Sequence, residues 1–175
     1  HAKRMLQVQC DTYNKKYDYN YNCVIPTNIY GDNDNYQLED SHVIPGLIHR
    51  CYLAKQDDKP FVVRGSGNVL RQFIHAEDLA RVIMNLLPVI NQDIVIVADD
   101  QTEVTIKSVA EMIADQFEYK QHMTFDDSYS DGQYKKTSDN SKLKSMLPEV
   151  QFRPLKQGIQ QTVKHFINNY DTIRK

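Results

Sequence analysis

Apolar and polar residues alternate along the chain in two periods, one typical of helices and the other typical of strands. Apolar residues recur at helical spacing in six segments, which predict helices over residues 2–17, 43–54, 77–87, 106–117, 138–147 and 154–170. Short apolar runs between turn residues predict strands over residues 21–25, 61–63, 72–75, 93–97 and 123–125. Because helices and strands alternate and no internal repeat interrupts them, the pattern predicts an α/β fold.

Polar residues before three of these helices predict where the helices begin. Ser41, Thr105 and Ser138 are residue types that favour the N-cap position, so we expect each to cap the helix that follows it. Leu87 and Ile167 extend the apolar faces of their helices and are expected to be buried.

The segment from Cys23 to Val43 joins a strand to a helix through a polar loop. The apolar run Cys23-Val24-Ile25 ends at Pro26 and predicts a buried parallel strand, and residues 26–42 are rich in Asn, Asp and Gly. His42 stands where this loop enters the helix. In open α/β sheets ligands bind at the carboxyl ends of the strands, so His42 is a candidate site residue.

Composition and charge exclude several classes of protein. The chain has 175 residues, 41% of them hydrophobic and 25% charged, with a net charge of −2, which argues against a general binder of nucleic acids or anionic membranes. No apolar run approaches the roughly 20 residues that span a bilayer. Cys10, Cys23 and Cys51 lie in apolar patterns and are interpreted as reduced thiols, so we expect a cytoplasmic protein with no metal site.

Three further features of the sequence are weaker signals. Gly65-x-Gly67 lacks a third glycine and is interpreted as a turn, and no Gly-rich phosphate loop occurs elsewhere. His75 ends a predicted strand, where histidines more often pack or bond to backbone, so we assign it no role. His1 opens directly inside a helix without a cap, which leads us to expect a chain cut from a longer protein.

Four motifs in order resemble the extended short-chain dehydrogenase/reductase superfamily and, within it, the GDP-L-fucose synthase family. They are PTNIYG-DNDN at 26–35, SHVIPGLIHR at 41–50, RGSGNVLRQFIH at 64–75 and SDGQYKK at 130–136. The resemblance covers the whole chain and implies the carboxyl-terminal half of such an enzyme, mostly its substrate-binding domain. It implies that residues 1–40 end an NAD(P)-binding Rossmann domain and that 41–175 bind substrate, with residues near 70–90 as candidates to return to the Rossmann sheet.

The resemblance also implies an activity and a catalytic set. Enzymes of this family epimerise GDP-4-keto-6-deoxy-D-mannose at C3 and C5 and reduce it at C4 with NADPH. Lys3 matches the lysine of the Tyr-x-x-x-Lys pair, which holds the nicotinamide ribose and lowers the pKa of the tyrosine; taken alone, Lys3 would be an ordinary surface lysine. His42 matches the histidine that moves protons, a task suited to imidazole, and its alternative is a structural residue at the helix start. The implied cofactor contacts of NADP(H) are Lys3, Pro26, Thr27, Asn28, Ile29 and His42.

The implied substrate contacts are three arginines and one aspartate. Arg50, Arg64, Arg71 and Asp131 are predicted to bind the GDP-sugar, since guanidinium groups suit a diphosphate. Without the resemblance, the arginines would be surface ion-pair partners and Asp131 a turn residue. Asp32 replaces a proline of the family pattern and Arg64 replaces a tryptophan. These departures leave the exact sugar open.

Two alternatives to this activity remain. The chain could belong to another nucleotide-sugar epimerase or dehydratase of the superfamily, or to a non-catalytic regulatory homologue that keeps the fold. In either case the amphipathic helix over residues 2–17 is a predicted homodimer contact, because superfamily dimers pair this helix.

Overall fold

Six α-helices and nine short strands make up the computed structural model, which describes residues 1–175. The helices are α1 (Ala2–Tyr17), α2 (Val43–Gln56), α3 (Ala76–Leu86), α4 (Ile106–Gln116), α5 (Ser141–Met146) and α6 (Leu155–Asn168). The strands are β1 (Cys23–Pro26), β2 (Asn28–Tyr30), β3 (Phe61–Arg64), β4 (Leu70–Arg71), β5 (Phe73–His75), β6 (Ile94–Val97), β7 (Val104–Thr105), β8 (Met123–Asp126) and β9 (Lys135–Lys136). The predicted α/β class is confirmed.

Most of the strand pairs are parallel. β1 pairs with β6, β2 with β5 and β3 with β8, each in parallel register, and β4 lies between antiparallel β7 and parallel β9. Thr27 alone separates β1 from β2, so the chain passes from one strand pair to the next within a single residue. As a result, the ends of β2 and β5, at Tyr30 and His75, lie side by side.

Two hydrophobic cores hold these elements. The larger has 22 buried residues and joins α2, α4 and α6 with β3, while the smaller has seven and lies among α3, β6 and α5. Residues 70–90 contribute to both cores, because Phe73 belongs to the larger and Ile74, Val82 and Leu86 to the smaller. The division into domains at residue 40 stays a prediction.

Helix α1 packs far less than the others. Its single buried residue is Asn14, whose side-chain amide donates to the Tyr21 carbonyl and accepts from the Tyr21 N–H, each at 2.8 Å. Leu6 and Tyr13 are 61% and 48% exposed, so much of the apolar side of α1 lies open to solvent.

Several sequence expectations about strands were wrong. Residues 28–30 were expected in a loop but form β2, because Ile29 and Tyr30 gain a ladder with β5. Strand β1 is parallel as expected but not buried, since it pairs on one side only and Ile25 is 45% exposed. The two-residue strands β4, β7 and β9 were missed because distant segments create them.

The helix caps gave a mixed result. Thr105 caps α4 as predicted, accepting from the Ser108 N–H at 3.1 Å. Ser41 is not a cap, because α2 has His42 at its N-cap with no side-chain hydrogen bond. Ser138 is also not a cap, since α5 begins at Ser141, whose N–H is held by Asp139 at 2.9 Å.

Two apolar residues expected inside lie at the surface. Leu87 is 61% exposed because it follows the last turn of α3, and Ile167 is 45% exposed near the end of α6. The three cysteines are free thiols, and Cys51 is buried. None of the helices is both long and apolar enough to cross a bilayer.

Candidate active site

His42 stands at the mouth of a cavity of about 320 Å³. Its side chain is 82% exposed, and its Nδ1 lies 3.8 Å from Asp34 Oδ1. Ile29, Asp32 and His75 line the same cavity. The structure therefore places His42 beside the carboxyl end of β2, with its imidazole open to solvent, while its role in catalysis stays a prediction.

The strand end at residues 26–29 lies beside this cavity. Asn28 is anchored, because its backbone N–H and its side-chain amide both donate to the Gln72 carbonyl, at 3.2 and 2.7 Å. The Thr27 hydroxyl is buried and has no hydrogen-bond partner. Ile29 is 40% exposed and lines the cavity, whereas Pro26 and Thr27 do not. The strand end thus offers a fixed amide and an unused hydroxyl, which are features of a ligand-binding edge.

His75 is a site residue that the sequence did not reveal. Its side chain is 1% exposed, and its Nδ1 accepts from the Glu77 N–H at 3.3 Å as the N-cap of α3. Burial and the nearby Arg153 charge lower its pKa, which favours the neutral ring, and an accepting Nδ1 assigns the proton of that ring to Nε2. The Nε2 atom of His75 is buried and makes no hydrogen bond. The available signal was a strand ending in His followed by an acidic helix start.

Contacts with Tyr36 and His165 hold the loop after β2 in place. Tyr36 donates to the carbonyls of Gly31 and Asp32, each at 3.3 Å, and Asp32 Oδ2 lies 3.7 Å from His165 Nδ1 on α6. Asp32 Oδ1 is buried and has no partner. Asp32 therefore keeps one carboxylate oxygen unused at the cavity wall.

Arg50 and Arg64 form a second group of predicted site residues. Burial lowers the pKa of Arg50, and the positive charge of Arg64 lowers it further. Arg50 Nε is buried without a partner, and the Arg64 guanidinium lies 4.8 Å above the Tyr129 ring. The arginine ion pairs of the structure are made by other residues, Arg81 and Arg153. Two neighbouring guanidinium groups without carboxylate partners suit a phosphate group.

Arg71 and Asp131 are already engaged within the chain. Arg71 Nη1 donates to the Leu70 and Gln133 carbonyls, at 2.7 and 2.8 Å. The Asp131 carboxylate accepts from the Ser66 N–H and hydroxyl, at 2.8 and 2.6 Å, and these bonds lower its pKa. The segment 65–67 is the predicted turn, with φ of +85° at Gly65. Arg71 and Asp131 therefore hold neighbouring backbone segments in place, and a direct substrate contact for either stays a prediction.

Lys3 is not brought to these groups. It lies on the exposed side of α1 and is absent from the residues that line the His42 cavity. The structure thus joins Ile29 with His42, and Arg50 with Arg64, while the role assigned to Lys3 stays a prediction.

Comparisons with known proteins identify the family of this chain. The model of the NAD dependent epimerase/dehydratase family matches residues 1–97. The GDP-L-fucose synthase of Dictyostelium discoideum is 44% identical over 177 residues, which cover 100% of this chain and 55% of that protein. The probable GDP-L-fucose synthase of Drosophila melanogaster is also 44% identical, with coverages of 100% and 57%.

Solved structures show the same likeness. A GDP-L-fucose synthetase from Naegleria fowleri, solved bound to NADP, is 41% identical with a TM-score of 0.94, over 99% of this chain and 56% of that chain. A UDP-glucose 4-epimerase of Thermotoga maritima, at 16% identity and a TM-score of 0.84, shares the fold alone. This chain therefore spans somewhat more than half the length of the relatives it matches. Since the family model covers more than half of its residues, the chain belongs to the NAD dependent epimerase/dehydratase family, and its resemblance to GDP-L-fucose synthases is confirmed over its whole length.

Proposed function

We propose that this chain is part of an NADPH-dependent enzyme that converts GDP-4-keto-6-deoxy-D-mannose to GDP-L-fucose. The observation that carries the proposal is the open imidazole of His42 in a cavity at the carboxyl ends of β2 and β5. The relatives that are 44% identical bear the name of this activity, which supports the choice of substrate.

His42 would carry the epimerisation. Each inversion removes a proton next to the C4 ketone and returns one to the opposite face, so the site needs a group that exchanges protons near neutral pH. The His42 ring makes no hydrogen bond, and its Nδ1 lies 3.8 Å from Asp34 Oδ1, a carboxylate that would stabilise an imidazolium. Its exposure leaves room for a sugar carbon to approach.

NADP(H) fits the strand end beside His42. The unused Thr27 hydroxyl and the Asn28 amide, held by Gln72, would contact its nicotinamide half together with Pro26, Ile29 and Lys3. When bound, this cofactor supplies the hydride that reduces C4. The residues of the chain would orient the two reactants, and Ile29 lines the cavity between them and the strand end.

Arg50 and Arg64 would bind the GDP diphosphate. They are neighbouring cations without carboxylate partners, and Arg64 also presents a stacked guanidinium–tyrosine surface with Tyr129. Affinity for GDP tests this in the full-length protein. Arg50→Gln and Arg64→Gln should each weaken GDP binding, whereas Arg81→Gln, which removes an arginine already paired with Asp78, should not.

We further propose that the chain is the carboxyl-terminal half of its enzyme and is inactive alone. The motif resemblance supports this placement, with Lys3 ending a Tyr-x-x-x-Lys pair. The parent transcript tests it: a Gly-rich phosphate loop and a tyrosine four residues before Lys3 should be encoded upstream. Detectable NADPH oxidation by the isolated chain with the keto-sugar would contradict it.

The partner and location assignments are also proposals. The exposed apolar side of α1, with Leu6 and Tyr13, is the surface expected to pair two copies, and the enzyme is expected in the cytoplasm. A full-length protein that sediments as a monomer at micromolar concentration would contradict the dimer.

The activity itself is tested by incubating the full-length protein with GDP-4-keto-6-deoxy-D-mannose and NADPH. The expected result is NADPH oxidation with formation of GDP-L-fucose. Oxidation only with a different nucleotide sugar would favour another epimerase of the superfamily. No oxidation with any keto-sugar, despite GDP binding, would favour a non-catalytic homologue.

A further inference from the structure

The wall of the His42 cavity contains two buried polar atoms that make no hydrogen bond. They are His75 Nε2 and Asp32 Oδ1. Both residues line the cavity, and they approach it from different elements, the start of α3 and the loop after β2. An unpartnered buried polar atom is rare in folded proteins, and two such atoms on residues that line one cavity point to a ligand group.

The chemistry of the two atoms is complementary. His75 Nδ1 accepts from the Glu77 N–H at 3.3 Å, so the neutral ring carries its proton on Nε2 and Nε2 is a donor. The Asp32 carboxylate turns Oδ2 toward His165 and Gln161, at 3.7 and 3.4 Å, which leaves Oδ1 as an acceptor. A hydroxyl group can accept from the first and donate to the second through one oxygen.

Gly31 packs closely against the start of α3. A Cβ added to Gly31 would lie 3.6 Å from His75 Nε2 and 3.2 Å from the Ala76 Cβ, and the second contact is crowded. Glycine at position 31 therefore places no side chain over the imidazole edge. His42 opens into the same cavity, so a group held here would lie beside the proposed proton-transfer residue.

We propose that His75 and Asp32 together hold one hydroxyl group of the substrate's sugar ring, with His75 Nε2–H as donor and Asp32 Oδ1 as acceptor. This inference rests on the proposed function and names two positioning residues for it. A bound water has the same hydrogen-bonding chemistry, so the experiment must separate a sugar hydroxyl from a water.

The experiment measures dissociation constants of the full-length protein for GDP and for GDP-4-keto-6-deoxy-D-mannose. Asp32→Asn removes the charged acceptor and should weaken binding of the GDP-sugar about 10- to 100-fold while leaving GDP unchanged. Asn33→Ala is the matched control, because Asn33 lines the same cavity but its side chain makes no hydrogen bond with His75 or Asp32. It should change neither affinity.

Two variants of His75 separate its donor from its helix cap. Asparagine can keep the acceptor that caps α3 but places no donor at Nε2, whereas glutamine can place an amide donor there and loses the cap. His75→Asn should weaken the GDP-sugar about 5- to 10-fold, and His75→Gln should restore most of that affinity even if it lowers thermal stability. The opposite ranking would show a purely structural role and overturn the proposal.

Deoxy analogues identify the source of the hydroxyl. The 2-deoxy and 3-deoxy forms of the GDP-sugar are compared, and one of them should bind the wild type as weakly as the intact sugar binds Asp32→Asn. That analogue should lose nothing further in the variant, because the partner group is already missing. If neither analogue behaves so, the two atoms hold a water and the proposal is wrong. If the wild type turns over the keto-sugar but the Asp32 and His75 variants bind the GDP-sugar as tightly as the wild type, this inference alone is wrong. If the wild type binds neither GDP nor the GDP-sugar, the proposed function is wrong as well.

Discussion

His42 and His75 occupy the same local position and are used in opposite ways. Each is the N-cap of a helix, α2 or α3, in extended backbone conformation. His75 is 1% exposed and accepts from the first turn of its helix, whereas His42 is 82% exposed and accepts from none. The His75 imidazole is therefore part of the folded core, whereas the His42 imidazole is free in solvent.

The difference shows where the sequence gives up local stability. Ser, Thr, Asp and Asn are the efficient residues at an N-cap, and α4 uses Thr105 in that way. Helix α2 instead carries a histidine that caps nothing, beside a cavity that contains the buried ring of His75. We interpret the uncapped start of α2 as a position retained for chemistry. Four predictions test this interpretation, in order of decreasing effect.

The largest effect is expected from His42→Gln in the full-length enzyme. Glutamine keeps hydrogen-bonding capacity but cannot move a proton at neutral pH, and general acid–base groups contribute about 10²–10⁴-fold. Incorporation of solvent deuterium at C3 and C5 should fall by that factor, while hydride transfer is spared more. His122→Gln, a histidine that stacks on Tyr119 and lies outside the cavity lining, serves as control. Deuterium exchange at the wild-type rate without NADPH oxidation would instead assign His42 to cofactor placement.

The second effect is on stability and should appear at His75. His75→Ala removes the cap of α3 and leaves a cavity, which together should lower the free energy of unfolding by roughly 1–3 kcal/mol. His42→Ala, an exposed side chain without a hydrogen bond, should stay within about 0.5 kcal/mol. Urea denaturation of the two variants measures the contrast. Equal losses would remove the distinction between the two histidines.

The third effect is a pH dependence that comes from buried histidines. Burial lowers the pKa of His75 and of His49, whose Nδ1 lies 2.7 Å from the Tyr36 carbonyl. Below about pH 6.5 the unfolded chain binds these protons while the folded chain does not, so stability falls as pH falls from there toward the lowered values. Each histidine contributes at most about 1.4 kcal/mol per pH unit in that window. Thermal melts between pH 5 and 7 should show a smaller slope in His75→Asn than in His42→Asn.

Part of this contrast could be predicted from the sequence. The helical spacing located α2, and the motif resemblance selected His42 at its start. The sequence could not reveal His75, because its burial depends on the pairing of β5 with β2, a strand that was expected to be a loop. Asp32 appeared only as a departure from a family pattern. Its carboxylate is oriented by His165, 133 residues further along the chain, so the sequence could not show that Asp32 Oδ1 has no hydrogen-bond partner.

The same reasoning applies to the fold and to the arginines. Long apolar periods predicted the six helices, since their signal is local, whereas β4, β7 and β9 exist only through contacts between distant segments. The motif resemblance grouped Arg50, Arg64 and Arg71 as substrate contacts without ranking them, and the structure shows that the Arg64 charge acts on Arg50 and lowers its pKa. Side chains on α2 and β3 meet only after both pack on one core, so no spacing rule could have paired them.

The smallest effect is a gain in stability from His42→Asn. Asparagine is among the best N-cap residues, and the φ of −66° and ψ of 170° at position 42 already have the extended geometry that a capping side chain needs. The substitution should therefore raise the free energy of unfolding by about 0.5–1 kcal/mol while it removes proton transfer at the site. Calorimetric melting of the full-length protein, with Ser41→Asn as the neighbouring control one residue before the cap, measures the gain. A variant that is less stable than the wild type would show that His42 supports the fold after all, and the uncapped start of α2 would then need no functional explanation.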